Sequence, residues 1–540
     1  MPKKISPFLL SLLSAAMLSA AWYWHLSFLI FFGFVPLLII EDRITSTPGV
    51  KRAGWRLFGF SYLAFLLWNV LVTWWVVYAS FGGACMAFIF NSLFMALVFV
   101  LYSKIKTRLG KNWGVWLLIP LWLAWEYGHT LWDLTWTWLT IGNVFSFNHH
   151  WVQWYEITGV SGGSAWALAV NIVVFGVYQN QTRVTIFSRP VAKILAWVLI
   201  PVLISYLIMI LRAQIICKPE MVKTLIVQPN IDPYNDKFNW DFKYQFDKMY
   251  ALVNGKISNE TDYLVLPETF ITNNLNEEGL NQSEDITLFR DSLIRKFPKL
   301  KIVTGANTYV IYDKQTPSAT SRKDERGFYY DVFNTALQID SSQTLIYHKS
   351  KLVPGVERMP FPALFKPLEG LAIDLGGTMG SLGVQDEPGV FFSRDSVGCV
   401  APVICYESIF ADYTSKYIRK GANLIFIITN DGWWDNTPGY TQHLNYARLR
   451  AIENRREIAR CANTGISCFI DRYGNTSGQT EWWKEATIED ELLPNNSLTF
   501  FARFGDLLSY ISVVISLFII ALQPFIMLRK KAPASENEVH

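Results

Sequence analysis

Long apolar stretches occupy both ends of this chain, and they restrict its environment before any fold is chosen. Seven such runs, at about 7–23, 27–40, 57–79, 82–103, 113–130, 160–178 and 192–211, fill the first part, and another stands at 507–528. A helix that crosses a bilayer needs about 20 mostly apolar residues. We therefore expect transmembrane helices 1–7 within residues 1–211, an eighth at 507–528 and a tail at 529–540. The run 27–40 is short and Pro120 interrupts 113–130. The first run, after Lys3 and Lys4, reads as a span rather than a cleaved signal, because more spans follow at once and no clean cleavage site is visible. Charged residues are only 17% of the chain, against roughly 25% in soluble domains.

Basic residues orient these spans. Lys3 and Lys4 stand at the start, Arg43, Lys51, Arg52 and Arg56 after the second run, and Lys104, Lys106, Arg108 and Lys111 after the fourth. Arg183, Arg189 and Lys193 follow the sixth run, and Arg529, Lys530 and Lys531 the last, whereas the alternate loops, including 131–158, hold no Lys or Arg. Cytoplasmic loops are enriched in these residues. The pattern puts both termini in the cytoplasm and residues 212–506 outside it.

In 212–506 the composition changes. Strand-like segments such as VKTLIVQPN, DYLVLPETF, KIVTGANTY, VAPVICYES and NLIFIITND alternate with helical candidates at 236–256, 283–297 and 440–460. That interleaving predicts one α/β domain. The net charge of +4 has no dense basic stripe, so no nucleic-acid partner is expected. Six cysteines without a CxxC exclude a disulfide scaffold, and no HExxH, phosphate loop or Cys/His cluster suggests a metal or nucleotide.

Three segments could carry chemistry. In DYLVLPETF, Pro267 ends a buried strand and leaves Glu268 at its exit, where α/β folds gather functional groups; a solvated loop glutamate is the plain alternative. TLIYHKSKLVPGVERMPF offers Lys349 and Lys351, which on a strand would share one face, and then Glu357. In PVICYESIF, Cys405 follows an apolar strand and precedes Tyr406 and Glu407; a buried cysteine is either core filling or a nucleophile.

A strand-end Glu, a strand Lys and a strand-end Cys, in that order, resemble the nitrilase superfamily. FIITNDGWW at 426–434 and the helical segment running to Asn463-Thr464-Gly465 resemble it too. The preceding helices, with LAWEYG at 123–128 and WYEITGVSGGSAWALAVN at 154–171, make the chain similar to the bacterial apolipoprotein N-acyltransferase family. The resemblance implies an α-β-β-α sandwich following a multi-span helical membrane domain. It implies a Glu268-Lys349-Cys405 triad that passes an acyl group through a thioester, from a phospholipid to the diacylglyceryl-cysteine of an apolipoprotein. Lys349 is selected over Lys351 because the family's catalytic lysine lies five positions before the proline of LVP, here Pro354. Glu357 and Glu407 match supporting acids, and the Tyr406 N–H matches an oxyanion donor. Glu357 could aim Lys349 or act on Glu268 by repulsion; a salt bridge is the plain reading of Glu407. Trp433 and Trp434 border the lipid entrance in the family, while Trp240 and Arg448 are candidate substrate contacts. His443 reads as a hydrogen-bonded surface residue. The family further implies a monomer in the bacterial inner membrane, with a periplasmic catalytic domain and neither cofactor nor metal. Where the family usually has His and an aromatic residue, this chain has Lys351 and Arg358, and 362–383 aligns poorly. A membrane-tethered amidase with the same triad, or a non-catalytic membrane scaffold, are the competing expectations.

Overall fold

The structure is a computed structural model that describes residues 5–23, 26–180, 188–213, 220–312, 318, 320–358, 381–393 and 398–531. Lys3, Lys4, Arg183, Cys217, most of 362–383 and the end of the tail lie outside the described residues. Among those described, five helices are long and apolar enough to cross a membrane: Ala53–Thr73, Phe81–Leu109, Tyr155–Gln179, Arg189–Arg212 and Leu507–Pro524. The other three expected spans form shorter or interrupted helices, Pro7–Ala20, Ile30–Gly33 with Val35–Ser46, and Leu118–Gly128 after a 3-10 turn. The second is broken ahead of Pro36, which cannot donate to the helix. Asn171 repairs the break from a neighbouring helix, accepting from the Phe34 N–H at 2.8 Å and donating to the Ile30 carbonyl at 2.8 Å. Such repair is what apolar surroundings require of any freed backbone group.

The α/β domain contains two sheets. The first is built from β1 (Val222–Gln228), β2 (Tyr263–Val265), β3 (Ile271–Asn276), β4 (Lys301–Ile311), β5 (Arg322–Lys323), β6 (Tyr329–Ile339), β7 (Thr344–His348) and β14 (Ala486–Leu492). The second is built from β8 (Phe391–Phe392), β9 (Cys399–Ile404), β10 (Leu424–Thr429), β11 (Ile458–Ala462), β12 (Cys468–Ile470) and β13 (Thr476–Ser477). The first runs β14-β1-β2-β4-β6-β5, with β3 also on β4 and β7 also on β6, and the second runs β13-β12-β11-β10-β9-β8. Strands β1, β2 and β4 are mutually parallel, as are β9, β10 and β11.

Side chains alternate across a strand, and this separates two cores. Ile226, Tyr263, Val265 and Val303 face the second sheet, with the Tyr263 ring 5.1 Å from that of Phe426. Leu225, Val227, Leu264 and Ile302 face the helices Phe242–Val253 and Glu284–Phe289 instead. The helices Ala411–Arg419 and Pro438–Asn454 accompany the second sheet, completing the α-β-β-α sandwich. The expected helix 440–460 overruns: Arg455 turns into left-handed backbone (φ 50°) and the chain becomes β11, whose edge completes β10.

Residues 131–158 are not a surface loop. They form 3-10 turns, Thr137–Leu139, Ile141–Ser146 and His149–Trp151, buried largely beneath the α/β domain. Trp22 donates to the Tyr446 hydroxyl at 3.1 Å, and Trp138 to Gln442 at 2.7 Å. Arg455 binds Glu156 at 2.5 Å and the Gln153 side chain at 2.7 Å. Gly159 has φ 64°, and a Cβ there would meet the Phe501 ring at 2.2 Å, so only glycine lets the two parts close here.

Candidate active site

The ends of β2, β7 and β9 converge on one cavity. Pro267 stops β2, and the turn that follows carries Glu268 back across β4, where Gly305 lets it pass: a Cβ on Gly305 would lie 2.6 Å from the Glu268 Cα. Lys349 follows directly on β7 and still pairs with β6, its N–H donating to the Asn334 carbonyl at 2.8 Å. Cys405 follows β9 at φ 47°, which is left-handed backbone rare for a side chain with a Cβ, and the 3-10 turn Cys405–Ile409 begins there. Strained backbone of this kind persists where surrounding structure over-determines it.

Glu268, Lys349 and Cys405 all line this cavity of about 160 Å³. Lys349 Nζ donates to Glu268 Oε1 at 2.9 Å and to Glu357 Oε1 at 2.8 Å. Asn334 joins the same two carboxylates at 2.8 and 3.1 Å. Glu357 is itself fixed by the Val353 N–H at 2.8 Å. Burial works against the Lys349 charge, yet Glu268 and Glu357 hold its pKa well above the ordinary lysine value. Burial pushes Glu268 up, but Lys349, Asn334 and Lys237 overcome it and keep the carboxyl below the usual range. Burial and the Glu268 charge push the Cys405 thiol up, against the pull of Lys349. The resting arrangement is thus a thiol beside an ionised carboxylate and an ammonium.

Glu407 forms no ion pair among the described residues. It accepts from the Ile404, Ser350 and Lys351 N–H groups at 2.9, 2.7 and 3.3 Å, and from the Tyr347 hydroxyl at 2.6 Å. It therefore ties the Cys405 turn to the segment after Lys349. Tyr406 is buried, and its hydroxyl donates to the Thr135 carbonyl of the membrane part at 3.3 Å. Lys351 does not share the face of Lys349, because β7 has ended; its Nζ lies 5.4 and 5.5 Å from the Phe410 and Tyr413 rings.

The aromatic candidates divide. Trp433 and Trp434 line the cavity, and Trp434 meets Trp75 edge-on at 4.9 Å. Trp240 is not among the lining residues; it packs on Tyr244 at 4.8 Å over the helix-side core, and Phe238 lines the cavity instead. Arg448 is not among them either: it donates to the Gly474 carbonyl at 2.7 Å and Asn445 at 3.0 Å and meets His149 of the segment 131–158 at 3.3 Å. His443 is fully buried, not a surface residue.

Sequence reasoning overlooked Lys237 and Asn334. Lys237 Nζ donates to the Glu268 carbonyl at 2.8 Å and the Thr269 hydroxyl at 2.7 Å, and burial lowers its pKa to about 8. Nothing in its local sequence sets it apart from other lysines. Asn334 had only a weak signal: it is one of two amides, with Gln338, inside the largely apolar strand VFNTALQI. The apolar lining was overlooked too. Trp75, Gly83, Met86, Ala87 and Phe90, from the segment before and the start of the helix Phe81–Leu109, line the same cavity.

Sequence comparison divides the chain into the same two parts. The model of the carbon-nitrogen hydrolase family matches residues 224–495, and that of the apolipoprotein N-acyltransferase N-terminal domain matches 14–173. The chain belongs to the carbon-nitrogen hydrolase family, in the branch of the apolipoprotein N-acyltransferases. It is 29% identical over 538 residues to the apolipoprotein N-acyltransferase of Chlorobaculum tepidum, covering 94% of this chain and 95% of that one. The Geobacter metallireducens apolipoprotein N-acyltransferase is 27% identical over 526 residues, covering 94% and 93%. Among solved structures, the nitrilase-superfamily protein Nit3 of Saccharomyces cerevisiae superposes on 53% of this chain and 95% of its own, with a TM-score of 0.36 and 16% identity.

Proposed function

We propose that this chain moves a fatty acyl chain from a phospholipid to the N-terminal amine of a diacylglyceryl-cysteine apolipoprotein, with Cys405 as the acyl carrier. The observation that carries this is the cavity: it is lined both by Glu268, Lys349 and Cys405 and by an apolar stretch of a helix long enough to span a bilayer. A soluble small amide needs no such lining, and an acyl chain does.

In the first half, Glu268 removes the Cys405 proton as sulfur attacks the ester carbonyl carbon. The oxyanion forms beside Lys349 and the Tyr406 N–H. It collapses with cleavage of the C–O bond, and the proton passes from Glu268 to the departing lysophospholipid oxygen. In the second half, the neutral amine attacks the thioester, Glu268 takes the amine proton, and the C–S bond breaks. The proton returns to sulfur, leaving an amide and free Cys405. Removing one oxyanion donor typically costs about 10²–10³ in rate. Asn334, Glu357 and Lys237 keep Lys349 and Glu268 charged and aimed. The alternation of basic loops supports placing 212–506 on the periplasmic side of a bacterial inner membrane, with both termini in the cytoplasm.

Incubation of the purified protein with phospholipid labelled in the acyl chain tests this. A hydroxylamine-sensitive label should accumulate on the protein, vanish when apolipoprotein is added, and be absent from Cys405→Ala. Release of free fatty acid without transfer to the amine would instead favour the amidase-like reading.

A further inference from the structure

Behind Cys405, on the side away from the cavity, stands a buried polar chain that the proposed mechanism leaves unused. Asp431, His443 and Arg460 are each fully buried. Asp431 contacts His443 Nδ1 at 3.0 Å through one oxygen and accepts from Arg460 at 2.6 Å through the other. Arg460 also lies 3.1 Å from His443 Nδ1. On its far edge, His443 Nε2 lies 3.1 Å from the Cys405 carbonyl oxygen and 2.8 Å from Ser408 Oγ. The Ser408 hydroxyl donates to the same Cys405 carbonyl at 2.8 Å. Desolvation works against the Asp431 charge, but Arg460 and His443 hold the carboxyl well below the usual range, so this oxygen pair only accepts. A backbone carbonyl also only accepts. His443 Nε2 therefore carries the hydrogen it shares with the Cys405 carbonyl, while its Nδ1 edge is held by Asp431 and Arg460.

The consequence lies in the peptide plane. The Cys405 carbonyl and the Tyr406 N–H belong to one planar trans unit and point in opposite directions. Two donors that seize the carbonyl from behind, His443 and Ser408, fix the rotation of that plane. They also polarise the amide and strengthen its N–H as a donor. We infer that His443, held by Asp431 and Arg460, is a positioning residue that turns the Tyr406 N–H toward the acyl carbonyl bound at Cys405, so that the oxyanion donor is set from behind the nucleophile. The left-handed backbone at Cys405 (φ 47°) is the strain this clamp sustains. His443 also braces the front of the site, its ring 5.4 Å from that of Trp434, which lines the cavity.

The inference rests on the acyl-enzyme reading above but is separable from it. Two reactions of Cys405 differ in one respect: acylation by an ester passes through an oxyanion, while alkylation by iodoacetamide does not. We compare single-turnover acylation by a p-nitrophenyl ester with alkylation in the wild-type protein and in His443→Phe. The expected result is a fall of about 10² in acylation, the range for losing an oxyanion donor, with alkylation changed only a few-fold. His443→Gln, whose amide can still donate to the carbonyl, should recover part of the acylation. If His443→Phe does not fold, Ser408→Ala gives the same contrast with a smaller loss. Equal losses in both reactions, or unchanged acylation in a folded variant, would overturn the inference. A wild-type protein acylated by the p-nitrophenyl ester but never by phospholipid would remove the proposed donor while leaving the role of His443 open to the same measurement.

Discussion

Lys349 holds two carboxylates at once, and that bond pattern sets what single substitutions do. Removing it leaves Glu268 and Glu357 facing each other without their shared cation, and breaking a buried pair typically costs about 3–5 kcal/mol. We expect Lys349→Ala to block thioester formation and to lower the unfolding temperature. Lys349→Arg should also be poor, because a planar fork does not replace a compact ammonium lodged between two oxygens. Lys351→Ala should keep most single-turnover acylation, since its Nζ rests on the Phe410 and Tyr413 rings outside the triad. The Glu268 shift also predicts a pH profile. Its folded pKa lies below the ordinary 4.5, so the carboxylate is stabilised by folding. That stabilisation is fully present above the unfolded value and is lost as pH falls through the folded one. Acylation measured against pH should therefore stay high at pH 5, with its acid limb falling below pH 4.5. A midpoint near neutrality would show that Glu268 is not the base.

At the scale of elements, the cavity is a meeting of a soluble strand-end site with one membrane helix. The segment Gly83–Phe90 of the helix Phe81–Leu109 supplies the apolar wall. A buried methylene is worth roughly 0.8 kcal/mol. Ala87→Trp should fill space that an acyl chain would use. We expect it to weaken acylation by long-chain phospholipid on the order of 10²-fold, as for four displaced methylenes, while a short-chain ester reacts nearly as before. Equal effects on both donors would place the acyl chain elsewhere. Glu407 acts between elements, joining the start of the Cys405 turn to the segment after β7. In Glu407→Gln one oxygen becomes an NH₂ that faces backbone donors, so either the Ile404 or the Ser350 N–H loses its acceptor. A loss of about 1–3 kcal/mol is expected, read by thermal unfolding in detergent, together with slower acylation.

Over the whole molecule, the α/β domain and the membrane part are interlocked rather than tethered. Arg455, at the turn after the helix Pro438–Asn454, binds Glu156 at the head of a membrane helix and both the side chain and carbonyl of Gln153. Arg455→Ala would remove one of the two arginines on Glu156, Arg212 remaining at 3.0 Å, and would leave the Gln153 acceptors without their donor, so a cost of about 1–3 kcal/mol is expected. Thermal unfolding should show it, with cavity-dependent acylation declining because Trp75 and Trp138 belong to one part and Trp434 to the other. The proposed periplasmic placement of the α/β domain has its own check. A reporter that is active only after export, fused after residue 300, should be active; activity of a cytoplasmic reporter at that point would exclude a periplasmic site and the lipoprotein acceptor with it.

Several features were legible in one dimension because each depends on local composition. The apolar runs pointed to a membrane, the alternation of strands and helices predicted one α/β domain, and Glu268, Lys349 and Cys405 each stand where an apolar strand stops. The breaks in the shorter spans were less legible, because Asn171, which satisfies one of them, lies more than a hundred residues away. The same reason hid Lys237, Asn334 and the Asp431–His443–Arg460 chain. A lysine or histidine is ordinary in sequence, and only the packing of distant segments makes it a buried donor aimed at one carbonyl. Packing also separated Trp433 and Trp434, which reach the cavity, from Trp240 and Arg448, which do not line it. Residue type sets what a side chain can do, whereas burial, partners and direction come from contacts between segments that sequence spacing does not encode.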